Sequence, residues 1–371
     1  MRKNSIPIGY QVSMIDSALR NAMLGFVVTV LLFATGCSKD TEFLPRISRD
    51  DSTMPDTFAD RAHSALRLKS KYSHGDSEFW SVAVTPNGKI WSVQGWNEQN
   101  DKLHFSTDFG RTWQSVGLPV DSRGVNGDIY FLDETRGWFV NDRLLLRTTN
   151  GGQSWTRIEL PDNSEVTKLQ SIRFFNSKTG IIGGSSSRMG EGFEPVSGVE
   201  VLCTNNGGYT WKVCYSDDKH QSVFGLLVVA EASVVLLLDG KFLIASDDMK
   251  AWKSIAIKGS PNAAAIYGDE IWLVGKGGLF TSRKANREHW VKNSSLSKES
   301  ARFANWNDIA FNDRGVGIAV ADEGVVAYSL DRGVSWHVLE NGISEDLFEV
   351  ELSNSIAVVS GEKNLYTFEI N

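Results

Sequence analysis

The sequence predicts an all-β fold: a seven-bladed β-propeller of four-stranded antiparallel blades, with six blades as the alternative. Three observations carry this. An eight-residue turn pattern recurs along the chain, the tryptophans that end it are regularly spaced, and a strand-turn-strand pattern recurs upstream of it. High glycine (34) and tryptophan (12) agree with many tight turns and many anchored strands.

The turn pattern is Ser/Thr-x-Asp/Asn-x-Gly-x-Ser/Thr-Trp. Clean copies run from Ser106 through Asp108 to Trp113, Thr148 through Asn150 to Trp155, Thr204 through Asn206 to Trp211, and Ser329 through Asp331 to Trp336. Decayed copies end at Trp252 and Trp290. Each residue type has a physical task. The Asp or Asn accepts hydrogen bonds from backbone N–H groups of its own turn. The glycine takes a positive φ that other residues resist. The tryptophan starts the outgoing strand and can bury its ring between neighbouring sheets.

The upstream pattern appears as Asp128-Ile-Tyr-Phe131 leading to Gly137, Ser171-Ile-Arg-Phe174 leading to Gly180, and Asp308-Ile-Ala-Phe311 leading to Gly315. Each reads as a short strand, a polar turn and an apolar strand. The repeat is therefore four antiparallel strands, one blade. The six tryptophans recur every 38 to 56 residues, so residues 62–371 hold about seven such units. After Trp336 come more apolar strands but no further turn pattern. The fourth strand of that last blade is expected from 64–72, closing the ring by pairing the two chain ends. The widest spacing marks an insertion at 184–199, between the second and third strands of blade three.

The turn pattern resembles the Asp-box, or BNR, repeat of β-propellers. In such propellers the boxes lie away from the ligand-binding face, so the resemblance implies a structural role for Asp108, Asn150, Asn206 and Asp331. The stretches from Trp138 to Trp155 and from Trp272 to Thr281 further resemble the photosystem II assembly/stability factor propellers. That resemblance implies a protein-binding scaffold, and it carries the fold rather than the partner. No photosynthetic role is inferred.

The N-terminus reads as export machinery. Arg2, Lys3 and Arg20 form a basic region, and 22–34 is an apolar run too short to span a bilayer as a helix. Ala34-Thr35-Gly36-Cys37 resembles the lipobox of bacterial lipoproteins, which implies cleavage before Cys37 and lipidation of its sulfur. The expected organisation is a signal peptide (1–36), a flexible polar tether (37–60) and the propeller (61–371). Ser38 after the lipidated residue favours the outer membrane of a bacterial envelope, with periplasmic and surface exposure both open. Without the leader the chain has 35 basic and 44 acidic side chains, a net charge of −9. That balance gives no electrostatic footprint for nucleic acid. Cys203 and Cys214 flank one short hairpin, and export permits a disulfide between them.

No catalytic constellation stands out. The six histidines show no metal-ligand spacing, there is no phosphate loop or nucleophile elbow, and no cofactor is expected. The reading is a non-catalytic envelope lipoprotein that binds a protein partner with its loop face. Trp96, Arg123, Arg188, Phe193 and Trp306 are the candidate contacts, since aromatics and arginine make good anchors. The alternative is a glycan-binding or sialidase-like hydrolytic propeller. Its chemistry needs three arginines on a carboxylate, a Tyr/Glu pair and an acid/base Asp. Arg143, Arg173, Arg283 and Arg302 are scattered candidates for the clamp, and Arg46-Ile47-Ser48 matches the Arg-Ile-Pro motif of that family poorly.

Overall fold

Most strands stop at or just before Gly, Asn, Asp or Ser. The structure, a computed structural model, describes residues 66–73, 78–95, 102–118, 127–190, 194–218, 223–229, 233–238, 241–245, 252–256, 259–268, 270–284, 290–292, 296 and 304–371. The expected leader and tether lie outside them.

The first strand is β1 (Leu66–Ser73). Blade one is β2 (Glu78–Val84), β3 (Ile90–Gly95), β4 (Lys102–Ser106) and β5 (Gln114–Gly117). Blade two is β6 (Asp128–Phe131), β7 (Gly137–Asn141), β8 (Leu144–Thr148) and β9 (Thr156–Arg157). Blade three is β10 (Val166–Phe174), β11 (Gly180–Met189), β12 (Pro195–Thr204) and β13 (Lys212–Asp217). Blade four is β14 (Val223–Val229), β15 (Ser233–Leu238), β16 (Lys241–Ala245) and β17 (Trp252–Ala256). Blade five is β18 (Pro261–Tyr267), β19 (Glu270–Gly275), β20 (Leu279–Lys284) and β21 (Val291–Lys292). Blade six is β22 (Trp306–Phe311), β23 (Gly317–Ala321), β24 (Val326–Ser329) and β25 (His337–Val338). Blade seven is β26 (Leu347–Leu352), β27 (Ile356–Gly361) and β28 (Asn364–Ile370), and β1 is its fourth strand.

All seven sheets are antiparallel; six are meanders of four successive strands, and the seventh adds β1 to the meander β26-β27-β28. The first strands touch in the cyclic order β2, β6, β10, β14, β18, β22, β26 and back to β2. β1 runs antiparallel to β28, from Leu66 opposite Ile370 to Ser73 opposite Asn364.

The boxes are built as their residue types require. Asp108 Oδ1 accepts the N–H of Arg111 (3.1 Å) and Thr112 (2.9 Å), and its Oδ2 accepts the Thr112 hydroxyl at 2.6 Å. Ser106 Oγ accepts the Gly110 N–H at 2.8 Å. The hydroxyl bond to the glycine N–H and the Oδ1 bond to the N–H four residues on recur at Thr148/Asn150/Ser154, Thr204/Asn206/Thr210 and Ser329/Asp331/Ser335. Asp331 Oδ2 likewise accepts the Ser335 hydroxyl, whereas Asn150 and Asn206 donate their Nδ2 to the Ser154 and Thr210 hydroxyl oxygens. The Thr112 hydroxyl bond, foremost, holds the Asp108 carboxyl at about 2. The indoles of Trp113, Trp211 and Trp336 donate to the carbonyls of Gly110, Gly208 and Gly333.

Three of the described boxes also lock onto the preceding blade through an aromatic wall. Trp91 stacks on Phe131 (centroids 5.2 Å apart), and Trp155 meets Phe131 edge-on at 6.0 Å. Trp138, Phe174 and Trp211 repeat this one blade on, and Trp272, Phe311 and Trp336 repeat it between blades five and six. A strand-two tryptophan, the next blade's strand-one phenylalanine and that blade's box tryptophan thus form one aromatic unit. Such pairs add ~0.5–1.5 kcal/mol each beyond their area. A cation seals two of these joints. Lys89 Nζ donates to the Gly151 carbonyl (2.8 Å), and Arg147 Nε to that of Gly207 (3.0 Å).

The upstream pattern has an equally local cause. Phe131 faces Gly137, Phe174 faces Gly180 and Phe311 faces Gly317 across a hairpin. A Cβ on any of these glycines would stand 2.5–2.7 Å from the ring. In the third copy the facing glycine is Gly317; Gly315 instead holds a φ of +81° in the turn. The turns are capped by Asp133, Asn176 and Asn312, whose Oδ1 atoms accept two backbone N–H bonds each.

Candidate functional site

The innermost strand of a blade pairs on one side only, so its other edge presents unpaired backbone groups to the axis. This protein caps several of them with side chains from the neighbouring blade. Asp128 Oδ2 accepts the Ile172 N–H (2.9 Å), Asp308 Oδ2 that of Val350 (2.8 Å), and Glu349 Oε2 that of Val82 (2.8 Å). Ser81 Oγ accepts the Ile129 N–H at 3.3 Å. Asn262 and Asn307 donate to the Trp306 and Leu347 carbonyls, both at 2.8 Å. A one-residue irregularity in register precedes Ser81, Asp308 and Glu349, as β-bulges that re-aim side chains do.

Arg173 joins this set. Its Nη1 donates to Asp128 Oδ2 at 2.6 Å and to the Ile172 carbonyl at 2.7 Å. Its Nη2 stands 3.9 Å from Glu351 Oε1, and the guanidinium lies 5.6 Å from the Tyr130 ring centroid. Arg173 is on blade three, Asp128 and Tyr130 on blade two, and Glu351 on blade seven. Its side chain is 24% exposed and that of Glu351 35%, so both border the axial space.

Burial dominates the electrostatics here. It raises the Asp308 carboxyl to about 7, with repulsion from Glu351 added and the Val350 and Ile309 N–H groups and Arg173 opposing. It raises Glu349 well above the carboxylate range, helped by Asp128, Asp308 and Glu351, and it raises Glu351 against the pull of Arg173. Burial alone would lower Arg173; Asp128, Glu351 and Glu349 hold it above its ordinary value.

The second feature is an arm. β11 and β12 are ten residues each, and their pairing continues to Met189 opposite Pro195. Box turns join third to fourth strands, so this second-to-third turn lies at the opposite end of the blade. Residues 187–189 are exposed, Met189 at 64%. Arg188 is bound to Asp218 and lies 3.8 Å from Glu165. Behind the arm, buried Glu200 accepts the Ser164 hydroxyl and the Glu165 N–H, fixing the chain that enters blade three. A disulfide joins Cys203 on β12 to Cys214 on β13.

The sequence-predicted residues divide accordingly. The box residues and the cysteine pair occupy the turns and hairpin described above. Arg188 is exposed on the arm. Trp306 requires correction as a partner contact. It is fully buried at the start of β22, edge-on to Phe280 at 5.1 Å, and works as packing between blades five and six. Cys37, Trp96, Arg123 and Phe193 lie outside the described residues. Of the clamp candidates, Arg143 donates to the Val166 carbonyl, while the Arg283 side chain and residue 302 are not among those described. Among the described residues, Arg173 is the clamp candidate that reaches the axial carboxylates. Among the described residues no His, Cys, Asp or Glu cluster could hold a metal ion.

The axial carboxylates were missed as site residues, although two carried a signal. Asp128 and Asp308 open the same repeated motif that contains Ser171 in blade three. A carboxylate recurring at the inner-strand position is one that caps the next blade.

Comparison with known proteins agrees with this architecture. Residues 105–189 match the family model "Photosynthesis system II assembly factor YCF48". That stretch includes two boxes' worth of turn chemistry, blade two and Arg173. The photosystem II stability/assembly factor HCF136, chloroplastic, of Arabidopsis thaliana is 34% identical over 85 residues, 22% of this chain. The match spans 21% of that relative's length. A structure of YCF48 bound to D1 peptide has a TM-score of 0.66 at 16% identity, covering 83% of this chain and 98% of that one. YCF48 from Cyanidioschyzon merolae gives 0.62 at 16% identity, covering 82% and 99%. Selenomethionine-substituted virginiamycin B lyase from Staphylococcus aureus gives 0.55 at 10% identity, covering 82% and 100%. One ring thus serves an assembly factor and a lyase, and at these identities the likeness is one of fold. The chain is an all-β propeller of four-stranded antiparallel blades, similar to the photosystem II assembly and stability factors.

Proposed function

We propose that the protein is a non-catalytic, lipid-anchored scaffold of a bacterial envelope that binds a protein partner through the face carrying the blade-three arm. The observation that carries the reading is the arm itself: an exposed hairpin, braced by Arg188, Asp218 and buried Glu200, on the face free of Asp boxes. Its base lies within the stretch that resembles the assembly factors. A related fold recorded with a bound peptide lends further support. A non-catalytic role fits the axial carboxylates, since Asp128, Asp308 and Glu349 are engaged with neighbouring backbone N–H groups.

Affinity capture of the full-length protein from native membranes tests this. Wild type is expected to retain a defined partner, and Arg188→Glu with Met189→Ser to lose it by at least roughly tenfold, the worth of one good anchor. Retention of every partner by the double variant would overturn the binding face. In the same cells palmitate label is expected on wild type and absent from Cys37→Ala. A glycan reading keeps one supporting observation, the raised carboxyls at the axis. Turnover of a fluorogenic sialoside would establish it instead.

A further inference from the structure

Four carboxylates and one guanidinium converge on the axis from four inner strands. From β6 come Asp128 and Tyr130, from β22 Asp308, from β26 Glu349 and Glu351, and from β10 Arg173 itself. The other inner strands bring little charge. β14 has no titratable residue, β18 has only Tyr267 at its end, stacked on Phe311, and β2 has only Glu78 at its start. Lys168 stands five residues before Arg173 on β10. Arg173 is therefore the one cation among the groups named at this point.

We propose that Arg173 is an axial clasp whose necessity depends on proton occupancy: it ties blades two, three and seven together while Asp308, Glu349 and Glu351 are ionised, and the ring dispenses with it once these three take up protons. The geometry gives the reason. The guanidinium bonds directly to Asp128 and approaches Glu351 on a blade that is not its chain neighbour. Removing it would leave four acids facing one another in a space lined by protein, where repulsion is poorly screened. Neutralising the acids would remove that penalty by another route.

The sign follows from linkage. These carboxyls bind protons more tightly in the folded ring than in the unfolded chain, since burial raises Asp308, Glu349 and Glu351. Between the ordinary carboxylate range and about 7 the folded state holds more protons, so stability falls as pH rises through that window. Loss of the Arg173 charge raises the carboxyls further and steepens the fall.

Urea unfolding of full-length wild type, Arg173→Gln, Arg173→Lys and Arg173→Gln/Glu351→Gln at pH 8 and pH 5.5 tests the proposal. Arg173→Gln is expected to lower the folding constant at pH 8 by roughly a hundredfold, as for a broken buried pair. The deficit should shrink at least tenfold at pH 5.5, should be partly restored by Arg173→Lys, and should be partly suppressed at pH 8 by the second substitution. Should Arg173→Gln fail to fold at pH 8, it should still fold at pH 5.5. An equal deficit at both pH values, failure to fold at both, no deficit at pH 8, or no suppression by Glu351→Gln would each overturn the clasp.

Discussion

Deletion of Leu66–Ser73 is expected to make the ring self-associate beyond the wild-type state and to broaden its unfolding transition. β1 contributes little burial of its own, Leu66 being its one buried side chain. Its importance is positional. It covers the edge of β28, and a long uncovered edge is a template for pairing with another chain. It also reaches into blade one. Tyr72 stacks on Trp113 with centroids 5.0 Å apart, and Ser70 Oγ donates to the Phe109 carbonyl at 3.3 Å. Its loss therefore removes a sheet edge and an inter-blade joint together. We expect a loss of at least ~3–5 kcal/mol, in the tail of measured effects. Light scattering and urea melts measure both consequences. A deletion variant that keeps the wild-type mass in solution and an unchanged midpoint would show that the ring does not depend on this closure.

The second large effect is expected at Gly208. Its φ is +77°, and a Cβ there would stand 2.4 Å from the Trp138 indole nitrogen and 3.2 Å from Phe174. Gly208→Ala therefore incurs left-handed strain, ~1–2 kcal/mol, and overpacking against two fixed rings, ~1–3 kcal/mol. A combined loss of ~3–4 kcal/mol is expected from chemical denaturation. Gly277 has φ +64° with nothing within 4 Å of the added carbon, so Gly277→Ala isolates the strain alone. Equal losses at the two sites would refute the packing role of the box glycine.

The difference between these glycines shows what a linear reading can and cannot see. The box bonds span at most four residues, from Ser106 to Gly110 or from Asp108 to Thr112, so their chemistry is written in adjacent letters. The Phe–Gly pairs of the upstream motif are equally local. The 56-residue spacing correctly marked an insertion, but only the structure turns it into two ten-residue strands. Trp306 was misjudged because an aromatic residue among Asn and Asp looks like a loop anchor. Its neighbours Asn305 and Asn307 are polar because they bond across blades: Asn305 Oδ1 accepts the Gly277 N–H of blade five, and Asn307 donates to the Leu347 carbonyl of blade seven. Arg173 looked solitary because its partners are remote in the chain: Asp128 lies 45 residues away and Glu351 on the last blade. Only closure of a ring brings such positions together.

The latches from Lys89 to the Gly151 carbonyl and from Arg147 to that of Gly207 have a consequence for how such a chain could be shortened or lengthened. The hydrogen-bonded module is the blade. The cohesive module is half of one blade and half of the next, at the joints where a box rests on a wall supplied from upstream. A duplicated or grafted segment would therefore join best when cut through the middle of a sheet, carrying a tryptophan wall together with the turn that leans on it. A cut between blades would separate the boxes of blades two, three and six from their support.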